Sequence, residues 1–414
     1  MNEQLIEAMV NPENASRAFK AVKRNQGAPG IDGMTVKELA DHLRMHWPRI
    51  KEVLLAGDYR PAPVKRVEIP KPDGGKRLLG IPTMVDRFVQ QLMLGVLTPI
   101  FDPTFSASSH GFRPGRSAHD AVKAAQQHAR KGAAWVVDID ISQFFDHVHH
   151  DILMHRIGQT IRDKRMLRLI GRYLRAGVFS NGLVMATDEG TPQGGPLSPL
   201  LANVYMDALD KELERRGHRF SRYADDCNIY VGSEAAAKRV LASITGWIES
   251  NLKLTVNVAK SGTGQVWERK FLGFQLTEKL DIGIAPKSAE RYKAKVRERW
   301  RSCQSQSSEQ LRDRWCAWVR GWCAYFRLAE DRRAVTEWEG WTRRHIRCCF
   351  WQRWHGQKGR YRKLRQLGLN ERQCEVASSS KGAWVIASSP SMHAALSNRR
   401  LSQHGFLMPS EAFA

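Results

Sequence analysis

The apolar and polar positions of the chain predict short helices, then alternating strands and helices, then a long helical region. Between positions 61 and about 283, strand-like runs such as residues 64–69 alternate with helical runs, separated by turn residues. Residues 1–58 read as short helices around a glycine-rich link, residues 27–33, which is either a plain loop or a set of turns with close backbone approach. The pattern predicts an α+β region followed by helices.

Acidic residues interrupt two of the strand-like patterns. Asp138 and Asp140 follow an apolar, β-branched run, and Asp140 stands where the strand should give way to a turn or helix. Asp225 and Asp226 lie between two apolar runs, so a β-hairpin would present both at its tip. Antiparallel pairing could bring them to Asp140. A solvated hairpin tip and an ordinary strand-end aspartate are the common alternatives.

Three clustered carboxylates without histidine or thiolate suit a hard cation, Mg²⁺ above all. Two such ions, typically ~3.5–4 Å apart, can activate a hydroxyl and stabilise a departing pyrophosphate during in-line displacement. The acids therefore indicate phosphoryl-transfer chemistry. Each acidic motif is too common to establish that chemistry by itself.

The charge of the chain favours a large polyanionic partner. Lys and Arg number 65 against 42 Asp and Glu, which gives a formal net charge of +23. Nucleic acid is the first candidate and an acidic membrane surface the second. The sequence contains neither a long apolar run nor a signal segment, so we expect a cytoplasmic protein. The seven cysteines contain no C-x-x-C pair and are expected to be reduced packing residues.

The basic charge is concentrated beyond position 285. Residues 291–370 hold 21 Lys and Arg against 7 Asp and Glu, together with eight of the thirteen tryptophans. Trp315, Trp318 and Trp322 share one helical face, which we interpret as core rather than as a base-stacking platform. The arginines of the same segment point elsewhere and are the better candidate for a nucleic-acid surface.

Seven motifs occur in a fixed order along the chain. They are Ile-Pro-Lys71-Pro-Asp-Gly-Gly-Lys-Arg77, His-Gly-Phe-Arg113-Pro-Gly-Arg116, the Asp140 segment, Gly-Thr-Pro-Gln193-Gly194-Gly195-Pro, Tyr-Ala-Asp225-Asp226, Asn-Val-Ala-Lys260 and Phe-Leu-Gly-Phe274. This ordered set closely resembles the reverse transcriptases encoded by bacterial group II introns, the intron maturases. The resemblance covers nearly the whole chain.

The resemblance implies a right-hand polymerase fold, in which fingers and a palm with an antiparallel sheet precede an all-α thumb. The expected segments are an N-terminal extension (1–60), fingers and palm (61–283), a thumb or maturase X domain (284–367) and a DNA-binding appendage (368–414). The absence of paired cysteines is typical of the short group IIC type, which lacks an endonuclease module.

Roles carry over from the family by position. Asp140 and Asp225 correspond to metal ligands for two Mg²⁺ ions, with the Ile141 carbonyl as a backbone ligand and Asp226 as a supporting acid. Lys260 corresponds to the proposed general acid for pyrophosphate, although Ser261 stands where the family more often has Thr. Asp138 is interpreted as a strand residue.

Other positions correspond to substrate contacts. Lys71, Arg77 and Gln193 match nucleotide-binding positions, and Phe145 resembles the steric gate that excludes ribonucleotides, with core packing as its alternative. Expected contacts with RNA or template come from Arg113, Arg116, Gly194, Gly195, Arg312 and Arg320.

The implied function is RNA-directed DNA synthesis together with binding of the parent intron RNA for splicing and retrohoming. The expected partners are intron RNA, an RNA template–DNA primer duplex, deoxynucleoside triphosphates and target DNA. One alternative is a splicing-only RNA-binding maturase in which polymerase activity has been lost. The other is a domesticated reverse transcriptase that acts in DNA repair or phage defence.

Overall fold

The computed structural model of the chain divides into two compact units, Met1–Val266 and Trp267–Ala414. The structure describes residues 3–70, 75–180, 183–185, 189–191, 194–301, 305–379 and 382–413, apart from the side chains of Arg77, Ser180 and residues 183–185.

The first unit combines helices with two four-stranded sheets. Its helices are α1 (Leu5–Met9), α2 (Pro12–Asn25), α3 (Val36–Ala56), α4 (Met84–Phe101), α5 (Ala118–Arg130), α6 (His150–Thr160), α7 (Lys164–Leu174), α8 (Ser198–Arg215) and α9 (Glu234–Leu252). Its strands are β1 (Val64–Pro70), β2 (Lys76–Ile81), β3 (Trp135–Ile139), β4 (Val178–Ser180), β5 (Leu183–Met185), β6 (Arg219–Tyr223), β7 (Asp226–Val231) and β8 (Gly262–Gln265).

The strand order separates the two sheets of this unit. One sheet runs β2-β1-β4-β5, in which β1 and β2 form an antiparallel hairpin and β4 lies parallel to β1. The other runs β6-β7-β3-β8, and all of its pairs are antiparallel. Val137 and Ile139 are fully buried in β3. The antiparallel sheet predicted around the acidic residues is therefore confirmed.

The N-terminal helices share the core of the first unit rather than forming a separate one. Asn14 of α2 is buried and donates from its amide to the carbonyls of Met9 and Leu92. It lies so close to α4 that a Cβ at Gly95 would come 1.9 Å from the Asn14 Oδ1. The structure thus groups the expected extension with the expected fingers and palm.

The glycine-rich link at residues 27–33 packs against the start of α4. A Cβ at Gly30 would lie 2.7–2.9 Å from backbone atoms of Pro82 and Thr83, and Gly33 has a positive φ of 71°. A guanidinium nitrogen of Arg87 donates to the Ala28 carbonyl. Of the two sequence interpretations, turns with close backbone approach are confirmed.

The second unit is mainly helical. It contains a small sheet in the order β11-β10-β9, formed by β9 (Lys270–Phe271), β10 (Phe274–Leu276) and β11 (Ile282–Ile284). Its helices are α10 (Pro286–Arg301), α11 (Ser308–Phe326), α12 (Arg333–Arg353), α13 (Gly356–Gln366), α14 (Glu371–Ser379), α15 (Ala383–Ile386), α16 (Pro390–Ala395), α17 (Asn398–Gln403) and α18 (Pro409–Phe413).

The tryptophan stripe of α11 belongs to the core of the second unit, as predicted. Trp315 is 1% exposed and donates from its ring nitrogen to the Leu407 carbonyl. Trp318 and Trp322 are half-buried against the same core. This core also includes residues from α14, α16 and α17, so the tail beyond residue 368 folds with the helices before it.

The cysteines only partly follow the expectation of reduced packing residues. Cys227, Cys316, Cys323 and Cys374 are free and buried, and Cys348 is free and half-buried. Cys349 takes part in a disulfide bond, which is a correction to that expectation. Among the helices in the described ranges, none has the length and apolar character needed to cross a membrane.

Candidate active site

The acidic residues gather at one end of the β6-β7-β3-β8 sheet. Strand β3 ends at Ile139, which pairs with Cys227 of β7. Continuing this antiparallel register by one position sets Asp140 opposite Asp226. The sheet therefore joins two acidic motifs that are far apart in sequence, as the strand patterns predicted.

Asp225 lies in the two-residue turn of the β6–β7 hairpin. Tyr223 pairs with Asp226 across the strands, which leaves Ala224 and Asp225 in the turn. Ala224 has a φ of 59°, a left-handed conformation that costs an L-residue roughly 1–2 kcal/mol. Gly111 packs directly on this turn, because a Cβ there would lie 2.3 Å from the Ala224 nitrogen. The turn is thus held in a strained conformation by its surroundings.

The backbone around Asp140 is fixed by the segment that precedes β8. The Asp140 amide donates to the Ser261 hydroxyl at 2.9 Å, and the Asp140 carbonyl accepts from the Asn257 amide at 2.8 Å. Ile141 bridges Val256, but the two hydrogen bonds of the bridge are made by flanking residues, Asp140 and Ser142. The bridge therefore leaves the Ile141 carbonyl unused, in keeping with its expected role as a ligand.

The side chains suit a hard cation, although they do not form a complete metal site. Asp140 and Asp225 are half-buried and Asp226 is exposed. Within the described residues, no three His, Cys, Asp or Glu side chains converge closely enough to hold an ion. Asp225 lies in the hairpin turn and Asp226 is the first residue of β7, so the expected cluster of three acids stays a prediction. Mg²⁺ accepts few protein ligands and retains waters and substrate phosphates, so the remaining oxygen donors fit it.

Lys260 precedes Ser261, the residue whose hydroxyl accepts from the Asp140 amide. The Lys260 amide donates to the Asn257 carbonyl at 3.1 Å, and its side chain is exposed. The next residue, Ser261, holds the Asp140 backbone. Lys260, the expected general acid, is therefore adjacent in sequence to a residue that contacts Asp140.

Phe145 lies just beyond β3 and is half-buried against the core. Its ring meets that of Phe144 edge-on, with centroids 5.2 Å apart, and its carbonyl accepts from the Thr191 amide at 2.7 Å. The start of the Gly-Thr-Pro-Gln motif is thus attached to the backbone of the expected steric gate. The half-buried ring is compatible with both interpretations of Phe145, gate and packing residue.

Several expected nucleotide contacts fall outside what the structure describes. Lys71 and Gln193 are not among the described residues, and for Arg77 only the backbone is described, paired with Ile69 in the β1–β2 hairpin. Gly194 has a φ of 123°, and a Cβ there would lie 2.8 Å from the Gly80 carbonyl oxygen. A Cβ at Gly195 would meet the Gln90 side chain at 2.6 Å. Both glycines therefore lie in close contact with other parts of the protein, namely the Gly80 backbone and the Gln90 side chain.

Arg113 is directed into the protein, which argues against its expected contact with RNA. Its guanidinium donates to the Asp102 carboxylate and carbonyl and to the Ser106 and Ser109 carbonyls, and its side chain is 5% exposed. Arg116 is half-buried and donates to the Ala107 carbonyl at 2.5 Å. We therefore leave Arg113 out of the proposed nucleic-acid surface.

In the second unit, Arg312 and Arg320 line one cavity of about 550 Å³ together with Gln403 and His404. Arg320 is exposed, whereas Arg312 is half-buried and donates to the Asp313 carboxylate at 2.9 Å. Two arginines that were predicted to belong to one nucleic-acid-binding face thus line the same cavity.

Sequence reasoning did not identify two residues that hold the backbone of the site, Ser261 and Arg222. In the sequence, Ser261 is recognisable only as a departure from the family pattern, and its contact with Asp140 has no sequence signal. Arg222 is fully buried beside the hairpin turn and pairs with Asp210 of α8. Strand alternation could have shown it, because Arg222 shares a strand face with the buried Phe220 and an inward arginine needs an acidic partner.

Comparison with known proteins assigns these features to a family. Residues 69–276 match the model described as reverse transcriptase (RNA-dependent DNA polymerase), and residues 289–368 match the group II intron maturase-specific domain. The chain belongs to the group II intron reverse transcriptases. It is an RNA-directed DNA polymerase with an α+β right-hand fold followed by a helical domain, so the expected family, fold class and enzyme class are confirmed.

Individual proteins are similar to this chain to different extents. Protein YkfC of Escherichia coli is 32% identical over 318 residues, which cover 67% of this chain and 84% of that protein. Group II intron-encoded protein LtrA of Lactococcus lactis is 37% identical over 225 residues, 53% of this chain but 36% of that protein. Among solved structures, a partial Cas6-RT-Cas1–Cas2 complex matches with 25% identity and a TM-score of 0.38, covering 59% of this chain and 42% of that one.

Proposed function

We propose that this group II intron reverse transcriptase extends a DNA primer along an RNA template by two-metal phosphoryl transfer at Asp140, Asp225 and Asp226. The observation that carries the proposal is the register of β3 and β7, which sets Asp140 opposite Asp226 and beside the turn that holds Asp225. Such a pair of half-buried carboxylates at a sheet end is suited to divalent cations and phosphate-bearing substrates.

The acidic residues and one backbone carbonyl would bind the metal ions of this reaction. Two Mg²⁺ ions, when bound, would activate the primer 3′-hydroxyl and stabilise charge on the departing pyrophosphate. Asp140 and Asp225 would hold them together with the Ile141 carbonyl, which takes no part in the hydrogen bonds of the Ile141–Val256 bridge. Asp226, which is exposed, would act as a supporting acid.

The incoming deoxynucleoside triphosphate would be bound by residues around these acids. Lys71, Arg77 and Gln193 are proposed contacts on the strength of their motifs. Phe145 would exclude the 2′-hydroxyl of a ribonucleotide, and the hydrogen bond from the Thr191 amide to its carbonyl would hold the backbone that carries the ring. Lys260 would donate a proton to pyrophosphate, a role that an exposed, mobile ammonium can perform.

The second unit is proposed to bind intron RNA, the template–primer duplex and target DNA. Its excess of basic residues favours phosphate backbones, and Arg312 and Arg320 supply two of the cations around one cavity. Binding of the parent intron RNA would support splicing and, with DNA synthesis at a new site, retrohoming.

Asp225→Asn tests the proposal, with Asp138→Asn as its matched control on the same sheet. Primer extension on an RNA template is expected to fall at least about 10³-fold in Asp225→Asn, because catalysis of phosphoryl transfer depends on positioned charge. It should stay near wild type in Asp138→Asn, and both variants should bind intron RNA as the wild type does. A wild type that binds and splices intron RNA without extending a primer would instead support the splicing-only maturase. Primer extension without preference for an intron RNA would support a domesticated enzyme.

A further inference from the structure

The guanidinium of Arg222 is buried directly beneath the turn that carries Asp225. Arg222 is the residue before Tyr223 in β6, and its side chain is 0% exposed. Its five N–H donors all have acceptors within 3.2 Å, namely both carboxylate oxygens of Asp210, the Ser109 hydroxyl, the Asn203 side-chain oxygen and the Ala224 carbonyl. A buried arginine in this state has no donor left for substrate or solvent.

The acceptors come from three separate parts of the chain. Asp210 and Asn203 belong to α8, Ser109 belongs to the segment before α5, and Ala224 is in the hairpin turn itself. The bond to the Ala224 carbonyl measures 2.7 Å. One planar group therefore ties the strained turn to a helix and to a neighbouring segment.

The backbone reinforces the same arrangement. The Arg222 amide donates to the Ser108 carbonyl, and its carbonyl accepts from the His110 amide. Asn203 also donates to the carbonyl of Gly111, the residue that packs on the Ala224 nitrogen. Both sides of the turn are thus held by groups that contact Arg222 or its partners.

The positive charge of Arg222 is neutralised by the Asp210 carboxylate within the protein. Asp210 is 0% exposed and accepts two parallel hydrogen bonds at 2.7 and 2.5 Å, a bidentate geometry that fixes the guanidinium plane. Lysine lacks this fork and cannot reach Asp210, Ser109 and Ala224 together from one ammonium.

We propose that Arg222 is a positioning residue that sets the direction of the Asp225 carboxylate by holding the Ala224 carbonyl. The proposal rests on the proposed function of Asp225 as a metal ligand. Arg222 touches neither substrate nor metal, and acts through the turn.

The test uses the full chain with Arg222→Lys and with the double variant Arg222→Met, Asp210→Leu. The double variant removes both charges, so that no unpaired buried charge remains if the lysine variant fails to fold. Ser109→Ala is the matched control, since it removes one acceptor of Arg222 but not the bond to Ala224. Thermal unfolding selects variants that remain folded, and fluorescence anisotropy measures primer–template binding.

Two measurements report on the position of Asp225. Folded Arg222 variants should show kcat for primer extension reduced roughly 10–100-fold, the scale expected for a misplaced catalytic group, with primer–template Kd within about twofold. Mn²⁺ binding, followed by electron paramagnetic resonance without turnover, should weaken about 3–10-fold, and Ser109→Ala should resemble the wild type. A purely structural role would lower the melting temperature while leaving the Mn²⁺ affinity of the folded fraction unchanged.

Wild-type kcat and Mn²⁺ affinity in either folded Arg222 variant would overturn the proposal. Asp225→Asn distinguishes this failure from failure of the proposed function. If Asp225→Asn still extends primers and binds Mn²⁺ normally, the metal role of Asp225 is wrong and the positioning proposal falls with it. If Asp225→Asn is inactive while the Arg222 variants are normal, only the positioning proposal is wrong.

Discussion

The hydroxyl of Ser261 contacts both the backbone amide and the backbone carbonyl of Asp140. The hydroxyl oxygen accepts from the Asp140 amide at 2.9 Å, and the hydroxyl O–H donates to the Asp140 carbonyl at 3.3 Å. The same carbonyl accepts from the Asn257 amide at 2.8 Å. The first acid of the site is therefore fixed by a segment that lies far from it in sequence and that also carries Lys260.

Ser261→Ala should reduce kcat for primer extension about 3–10-fold and lower the free energy of unfolding by about 1 kcal/mol, because both hydroxyl contacts with Asp140 are lost. Ser261→Thr should retain most activity, since it keeps the hydroxyl. Steady-state extension assays and urea denaturation measure the two effects. Ser243→Ala, at a hydroxyl on α9 that donates to the Val240 carbonyl, is the control and should leave kcat unchanged. A threonine variant as slow as the alanine variant would contradict the role of the hydroxyl.

The sequence was sufficient for the features that depend on local pattern. The β3 strand, the acidic hairpin and the buried face of α11 were predictable because strand alternation, turn chemistry and helical periodicity act over a few residues. Asp140 and Asp225 became candidates for the same reason, and the ordered motifs supply the roles that are proposed for them.

Residues whose partners are distant in sequence were not predictable in this way. Arg113 was expected to contact RNA or template, yet its acceptors are mainly backbone carbonyls, which no residue type reveals. Ser261 meets Asp140 only after two segments pair. The exposure of Asp226 and the close approach of Gly194 to Gly80 likewise depend on how separate elements pack.

Phe145→Ala should raise the incorporation of ribonucleotides relative to deoxynucleotides by roughly 10–100-fold, because removing the ring opens space for a 2′-hydroxyl. The ratio of kcat/KM values for a matched ribonucleotide and deoxynucleotide pair measures the change. The adjacent Phe144 offers the control, since it is 2% exposed and belongs to the core. Phe144→Leu should cost less than about 1.5 kcal/mol of stability without altering the ratio. An unchanged ratio in Phe145→Ala would leave Phe145 as a packing residue.

Arg320→Gln should weaken binding of intron RNA and reduce the slope of log Kd against log salt by roughly one, as expected when one phosphate contact is lost. Filter binding at several salt concentrations measures both quantities. Arg333→Gln is the matched control, because Arg333 is a 90% exposed arginine of the same unit that pairs with Asp331. Equal effects of the two substitutions would indicate diffuse attraction by net charge rather than a contact at the Arg312–Arg320 cavity.

Asp207 should make the first unit less stable as the pH rises from about 4 to about 6. Burial raises the pKa of its carboxyl from 3.8 to about 6, opposed by Lys211 and Arg222 and reinforced by Asp210. Among the described residues its Oδ1 has no hydrogen-bond donor. Because the folded-state pKa is the higher one, the folded state binds the proton more tightly, and the stability it provides is lost as the carboxyl ionises.

Asp207→Asn should therefore be more stable than the wild type at pH 7 by roughly 1–2 kcal/mol, a value that allows for solvent screening of a partly exposed group, and equally stable near pH 4. Urea denaturation across this range gives the difference. The quantity to measure is the difference in unfolding free energy between the variant and the wild type. Burial also lowers the pKa of His110 to about 4, so the contribution of His110 to stability rises with pH, opposite to that of Asp207. Asp41→Asn, on the exposed surface of α3, should leave the pH profile of the wild type unchanged. A constant difference between Asp207→Asn and wild type at all pH values would show that Asp207 does not titrate in this range.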